Sequence, residues 1–449
     1  MSEIILDVAA RKIDPTRRPQ RRVPQSAAGA DNDRVEIGPT WRAFDEWKAL
    51  GLALPDLTAL RHYRLGRVRH MLQELDLGGL LLFDPLNIRY ATDSSNMQAW
   101  TAHNFSRAAF IPTEGPVILW DFFGCEHLSS YLPLIEEVRT SASFFYFING
   151  ERVEEDAKRF AAEIDDLLRT HGGGNRRLAV DKMELAGAFA LQNLGVDLQS
   201  GQRVMELARL MKDENELRAV RCAIVACEAS MEEMRAALEP GISEDELWAE
   251  LVRGNIARGG EWIETRILAS GPRTNPWFQE CGPRIIQNGD LVGFDTDMVG
   301  TWGYCCDISR TWIAGDRKPN DEQRRLYQVA YEHIQRNMEL LRPGLSFEEM
   351  ALGGDNLSEE FAPQRYGCKY HGVGLCDEFP AVRYSHDHQP GMYRAGHDCL
   401  QPGMTITVEA YIGAVGGREG VKLEEQVLIT ESGFENLTKA PFEESLLAS

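Results

Sequence analysis

The sequence predicts an α/β protein of two domains, and three observations carry that prediction. Its 449 residues exceed what a single hydrophobic core usually organises. Apolar, strand-like runs alternate with amphipathic helical stretches over about 50–200. Further along, a long helical pattern followed by Pro-Gly and a capped turn occurs twice. The expected division is an extended N-terminal arm over 1–40, a first domain over 41–204 and a second over 205–449.

The arm is read from RKIDPTRRPQRR (11–22), basic and broken by proline, and from the polar SAAGADNDR that follows it. Folded sequence begins near Trp41. GGLLLFDP (78–85) is the continuous apolar run of a buried strand, closed by Asp84-Pro85. RAAFIPTEGPVILWDF (107–122) reads as two strands joined at Thr113–Gly115, and RRLAVD (176–181) as another. Between them DAKRFAAEIDDLLRTHGGG (156–174) is an amphipathic helix stopped by glycines. One long helix is expected over 207–234 and another over 321–341. Each precedes a similar segment, PGISEDELWAEL (240–251) and PGLSFEEMALGG (343–354), with capping pairs Ser243/Glu246 and Ser346/Glu349. That spacing is what a duplicated half-domain predicts.

Composition narrows the function. The chain is 43% hydrophobic and 26% charged, as in ordinary soluble globular proteins. A formal charge of −21 argues against nucleic acid or an anionic membrane as partner. Nine cysteines without a C-x-x-C pair read as reduced thiols. No apolar run approaches the roughly 18 residues of a membrane span. The opening MSEIILDVAA lacks the basic start of a secretory signal, so a cytoplasmic location is expected.

Acids and one imidazole gather in strand-like segments of the last third. Asp295, Asp297 and Asp307 lie in NGDLVGFDTDMVGTWGYCCDISRTW (288–312), and His371 lies in YHGVGL. Glu409 sits in GMTITVEAYIG (403–413) and Glu424 in GVKLEEQVLIT (420–430). Carboxylates inside apolar strands are costly to bury unless a cation compensates them. Five carboxylates and one imidazole suit two hard-to-intermediate divalent ions bridged by shared carboxylates. His386, Asp387 and His388 occur in YSHDHQPG without ordered spacing and read as a solvated loop, which over 380–400 is long enough to act as a lid. Cys305 and Cys306 read as strand packing, and GAVGGREG (413–420) as a hairpin rather than a phosphate cradle.

The pieces GDLVGFD, GYCCDISRTW, HGVGL, QPGMTITVEAYI and GVKLEEQVLITESGFENLT fall in order over 205–440. On them the chain resembles the M24 superfamily of prolidase, aminopeptidase P, methionine aminopeptidase and creatinase. DPLNIRYAT (84–92) extends the likeness into the first domain. The resemblance implies a creatinase-like N-terminal α/β domain and a C-terminal pita-bread domain with a dinuclear metal site. It also implies that Asp295, Asp307, His371, Glu409 and Glu424 are metal ligands.

Departures from the family pattern carry the functional expectation. Asp295 and Asp307 are separated by twelve positions rather than the family's eleven, and Asp297 becomes a candidate sixth ligand. Trp277, in NPWFQECG, stands where family hydrolases have a histidine, and an indole cannot shuttle protons. The second histidine of the HG motif is replaced around Asp377, and Ala410 replaces a common proline. Metal ligands kept while both proton-handling imidazoles are lost point from hydrolysis toward proton abstraction. In this the chain resembles the M24-fold bacterial lyases that cleave dimethylsulfoniopropionate to dimethyl sulfide and acrylate. That likeness implies a homodimer with two divalent ions per subunit, iron by preference with manganese, zinc or cobalt as alternatives. It implies Asp377 as the base for the α-proton and a small zwitterionic carboxylate as substrate, with Tyr366 and Trp277 as aromatic contacts for its sulfonium. The rival readings are an Xaa-Pro peptidase and a non-catalytic M24 binding protein.

Overall fold

The structure is a computed structural model that describes residues 38–129, 131–140 and 143–447. The arm expected over 1–40 therefore lies outside the described residues except for its last three. Helix α1 (Trp41–Ala49) is followed by α2 (Leu57–Glu74), whose N-terminus is capped by the Asp56 carboxylate accepting from the amides of Thr58 and Ala59. The apolar run at Gly79 forms β1 (Gly79–Leu82), buried on both faces. Asp84 then caps α3 (Pro85–Thr92), with Pro85 in the first turn, where its missing N–H costs nothing.

Strands β2 (Ala108–Pro112), β3 (Ile118–Asp121) and β4 (Glu137–Thr140) precede helix α4 (Val153–His171). Strand β5 (Arg177–Val180), helix α5 (Leu185–Asn193) and strand β6 (Asp197–Ser200) complete the region. The six strands form one mixed sheet in the order β4-β3-β2-β1-β5-β6. One face packs Leu81, Phe110 and Trp120 against Phe160, Ile164 and Leu168 of α4. The other packs Leu80, Leu82 and Ile111 against Val68 and Leu72 of α2.

The long helix expected over 207–234 is two helices, α6 (Gly201–Arg209) and α7 (Glu214–Ala237). The Asp213 carboxylate accepts from the amides of Asn215 and Glu216 and starts the second helix, an interruption that apolar periodicity alone conceals. Helix α8 (Glu244–Ala257) starts at the expected capping box, Ser243 and Glu246 bonding reciprocally.

Six short strands come next: β7 (Trp262–Ile263), β8 (Leu268–Ser270), β9 (Leu291–Asp295), β10 (Met298–Val299), β11 (Cys305–Cys306) and β12 (Ser309–Ile313). Helix α9 (Asp321–Met338) precedes α10 (Phe347–Gly353), where Ser346 and Glu349 form the second capping box. The chain then adds β13 (Tyr370–Val373), β14 (Asp377–Val382), β15 (Thr405–Ile412), β16 (Val421–Ile429) and β17 (Phe434–Asn436).

Two of the resulting sheets build the site, one in the order β12-β9-β8 and one in the order β14-β13-β15-β16-β17. They meet where the Thr311 hydroxyl donates to the Lys422 carbonyl at 2.9 Å and accepts from the Lys422 amide at 3.0 Å. The turn over 413–420 joins β15 to β16, the hairpin its glycines suggest. Among the described residues no helix is long and apolar enough to cross a membrane.

The first sheet region is fastened to the rest by buried charge. Arg64 of α2 lies 3.2 Å from Glu216 of α7 and 3.6 Å from Asp93, which also holds Arg61 at 2.7 Å. Arg89 of α3 joins Asp93 at 3.2 Å to Glu261, just before β7, at 2.9 Å. The Tyr304 hydroxyl donates to Glu216 at 2.8 Å. Burial makes such pairs costly to break from one side. Arg64→Ala should lower unfolding stability by about 3–5 kcal/mol, read from the urea midpoint; an unchanged midpoint would show that this junction bears no load.

Candidate metal centre and active site

Strand alternation brings the acids together. Glu409 and Glu424 face each other directly across β15 and β16, and Asp295 pairs with Ser309 across β9 and β12. Asp307, in the link between β11 and β12, is fixed to the Asp295 segment by Thr296. The Thr296 hydroxyl donates to the Cys306 carbonyl at 2.7 Å and accepts from the Ile308 amide at 3.0 Å. Asp297 takes a left-handed backbone (φ +34°), a conformation aspartate tolerates better than most residues, and accepts from the Thr265 hydroxyl at 2.6 Å.

His371 lies on β13 at a register shift, its Nδ1 3.0 Å from the Gly372 carbonyl. Its Nε2 is 3.3 Å from Asp307, 3.4 Å from Glu409 and 3.5 Å from Glu424. Ligand atoms of Asp307, His371 and Glu424 lie within 4.8 Å of one another, and so do those of Asp297, Asp307 and Asp377. The two groups share Asp307. Asp295 Oδ1, Asp307 Oδ1, Glu409 Oε1 and Glu424 Oε1 are all buried without a hydrogen-bond partner. Orphaned carboxylate oxygens converging with one imidazole are the donor set a hard-to-intermediate divalent ion requires, so these residues fit a metal.

The sequence reading missed Lys422. Its ammonium is fully buried and lies 2.9 Å from each of Asp295, Glu409 and Glu424. Hydrogen bonds run to Asp295, Glu424 and the Ser309 hydroxyl, the last at 2.8 Å. The signal was its period-two spacing from Glu424 on β16, which puts both side chains on one face.

Protonation follows from this crowding. Burial, then the charges of Asp295 and Asp377, pushes Asp297 up to about 8. Burial also pushes Glu409 up to about 8, with Lys422 opposing it. Asp307 is driven well above the usual carboxylate range by burial and then by Glu424. Burial disfavours charge on Glu424 too, but Lys422 and His371 outweigh it and hold its carboxyl well below that range.

Asp377 and Glu378, adjacent in sequence, part company. Asp377 begins β14 with its side chain 52% exposed and Oδ1 3.8 Å from His371 Nδ1. Burial of the carboxylate in the acid-lined cleft raises its pKa, with His371 opposing. Glu378 turns inward to Lys212 at 2.8 Å and Arg209 at 3.1 Å, and accepts from the Leu375 amide at 3.1 Å. This buried clamp fixes the turn that carries Asp377. Glu264, after β7, is pushed up to about 7 by desolvation and then by Asp377.

The aromatic contacts expected from the sequence are lysine neighbours. Lys422 Nζ lies 5.0 Å from the Tyr366 ring centre and 5.9 Å from that of Trp277. Trp277 is buried and stacks on Tyr411 at 5.7 Å, so the lysine occupies the surroundings of its ring. Tyr366 also meets Phe278 at 5.2 Å, an exposed ring on a left-handed backbone (φ +73°). The His386–His388 loop is less solvated than expected: Asp387 pairs with Arg365, and the His388 side chain is enclosed beside the Tyr393 ring at 6.3 Å.

Two packed sheets around an acid-rich centre define a metallopeptidase-type protein, and comparison agrees. The model of Metallopeptidase family M24 matches residues 218–431, and the chain belongs to that family. Within it, the chain is 50% identical over 442 residues to the dimethylsulfoniopropionate lyase DddP of Roseovarius nubinhibens, covering 97% of this chain and 98% of that one. It is 48% identical over 446 residues to the lyase of the same name from Roseobacter denitrificans, covering 98% of each. Among solved structures, a Thermococcus sibiricus prolidase aligns with a TM-score of 0.67 at 22% identity, covering 85% of this chain and 98% of that one. Dipeptidase PepE from Mycobacterium ulcerans gives 0.66 at 24%, covering 87% and 98%. These two likenesses establish the fold: a pita-bread domain behind an N-terminal α/β region.

Burial that pushes Asp297 and Glu409 up to about 8 favours their protonated forms near neutrality, so a divalent cation taken up on these oxygens would displace protons. Metal affinity should rise with pH and level off above about 8. Uptake should release protons, measurable by calorimetry in buffers of different ionisation enthalpy. Stability of the metal-free protein runs the opposite way. Its raised carboxyl pKa values favour the fold at low pH, and that contribution is lost as pH climbs from the usual carboxylate range through about 8.

Proposed function

We propose that this protein is a dimethylsulfoniopropionate lyase that works by β-elimination. The observation that carries the reading is Asp377, a half-exposed carboxylate beside the metal cradle where a hydrolase of this family places an imidazole. Likeness to the two lyases over nearly the whole chain supports it.

Asp295, Asp297, Asp307, His371, Glu409 and Glu424 would hold two divalent ions, iron by preference, with manganese, zinc or cobalt accepted by the same donors. When bound, such ions supply Lewis acidity that stabilises charge on a substrate carboxylate and so acidifies the adjacent carbon. Asp377 takes the α-proton, helped by the raised proton affinity its surroundings impose. The C–H electron pair becomes the Cα=Cβ bond, the Cβ–S bond breaks, and its electrons leave on sulfur. The products are dimethyl sulfide, acrylate and a proton held first by Asp377. Tyr366, with Phe278 beside it, offers aromatic faces to the sulfonium. Trp277 shapes the wall behind them.

A homodimer in the cytoplasm is part of this reading, which needs neither nucleic acid nor membrane. Asp377→Asn should cut dimethyl sulfide release by about 10²–10⁴-fold while metal content per chain stays unchanged. Headspace analysis and metal analysis of the same preparations read both. Hydrolysis of an Xaa-Pro dipeptide with no sulfide would select the peptidase instead, and a metal-loaded protein with neither activity would select a binding protein.

A further inference from the structure

The metal-ligand set does not account for Lys422. A lysine ammonium with no accessible surface is rare unless anions compensate it, and this one is surrounded by three. Its three N–H groups go to Asp295 Oδ2, Glu424 Oε2 and Ser309 Oγ, while Glu409 Oε2 is held by charge at 2.9 Å. The remaining oxygens of the same acids, Asp295 Oδ1, Glu409 Oε1 and Glu424 Oε1, are the orphaned ones. Each carboxylate is thus divided, one oxygen on the lysine and the other without a hydrogen bond, those of Glu409 and Glu424 turned toward His371. Ser309 reinforces the division by donating to Glu424 Oε2 at 2.9 Å.

Charge gives the second argument. With Asp377 set apart as the base, the ligand carboxylates Asp295, Asp297, Asp307, Glu409 and Glu424 carry five negative charges when all are ionised, and Lys422 neutralises one. The four left equal the charge of two divalent ions. Without the lysine the balance would call for one divalent and one trivalent ion, or for a retained proton.

We propose that Lys422 is a fixed third cation of the centre, a positioning residue that aims three carboxylates and sets the charge for which the cradle selects. The proposal rests on the cradle being a metal site, and the test separates the two. Manganese(II) and terbium(III) are titrated into full-length protein stripped of metal, with terbium luminescence and competition giving both affinities. Lys422→Gln removes the charge but keeps a hydrogen-bond donor, whereas Lys422→Arg keeps the charge.

Lys422→Gln should raise the terbium-to-manganese affinity ratio by about tenfold or more, and Lys422→Arg should hold the wild-type ratio. Ser309→Ala should weaken manganese binding by about tenfold, within the range of lost partners behind metal ligands, and leave the ratio alone. It also serves if the lysine variants do not fold, which circular dichroism reads. A Gln variant with the wild-type ratio overturns the charge role, and a Ser309→Ala variant with wild-type affinity overturns the aiming. Wild-type protein that takes up no divalent ion overturns the metal-site reading and this proposal together.

Discussion

The structure depends on an electrostatic problem set by strand geometry. Residues facing each other across β15 and β16 are Glu409 and Glu424, so antiparallel pairing puts like charges side by side in a buried layer. Asp295 and Asp307 arrive from the neighbouring sheet and add to the same charge. A β-sheet has little freedom to relieve this by moving. In the metal-free protein the relief comes from His371 on one side and Lys422 on the other, and the oxygens left without hydrogen bonds are those a metal ion would take. The neutral apolar strands around these groups exclude water, which makes repulsion expensive and compensation effective.

The same geometry separates the tasks of neighbouring residues. Asp377 meets the acids while Glu378 is held by Arg209 and Lys212 behind the sheet. One carboxylate therefore faces the acids because the next is held behind the sheet. Its placement is stiff, since the turn that carries it is tied to helix α6, and α6 packs against the first sheet as well as the second domain. The position of Asp377 and the packing against the first sheet share one helix.

Much of this was legible in the sequence, and what was hidden has physical reasons. Continuous apolar runs such as GLLL announced buried strands, and the S-x-x-E pairs announced α8 and α10, because both signals are local. The acids were legible because a carboxylate in an apolar strand is conspicuous. Lys422 was not, since a lysine two places before a glutamate looks like an exposed strand face until the neighbouring sheet covers it. Helix α7 was misread at its start because apolar periodicity continues through Asp213, and only the carboxylate's bonds to two amides reveal the break. The enclosure of His388 depends on Tyr393, a contact local spacing could not fix.

The buried cluster of Arg61, Arg64 and Arg89 with Asp93, Glu216 and Glu261 has a consequence for inheritance. Four of its members come from the first hundred residues, and the other two, Glu216 and Glu261, follow residue 200 in the chain. A pita-bread module lifted out by recombination would leave both of its acids without their arginines, and a foreign N-terminal module would have to bring matching guanidinium groups at matching heights. Exchange of either half alone therefore carries the cost of stranded buried charge, whereas substitution in place leaves the junction whole.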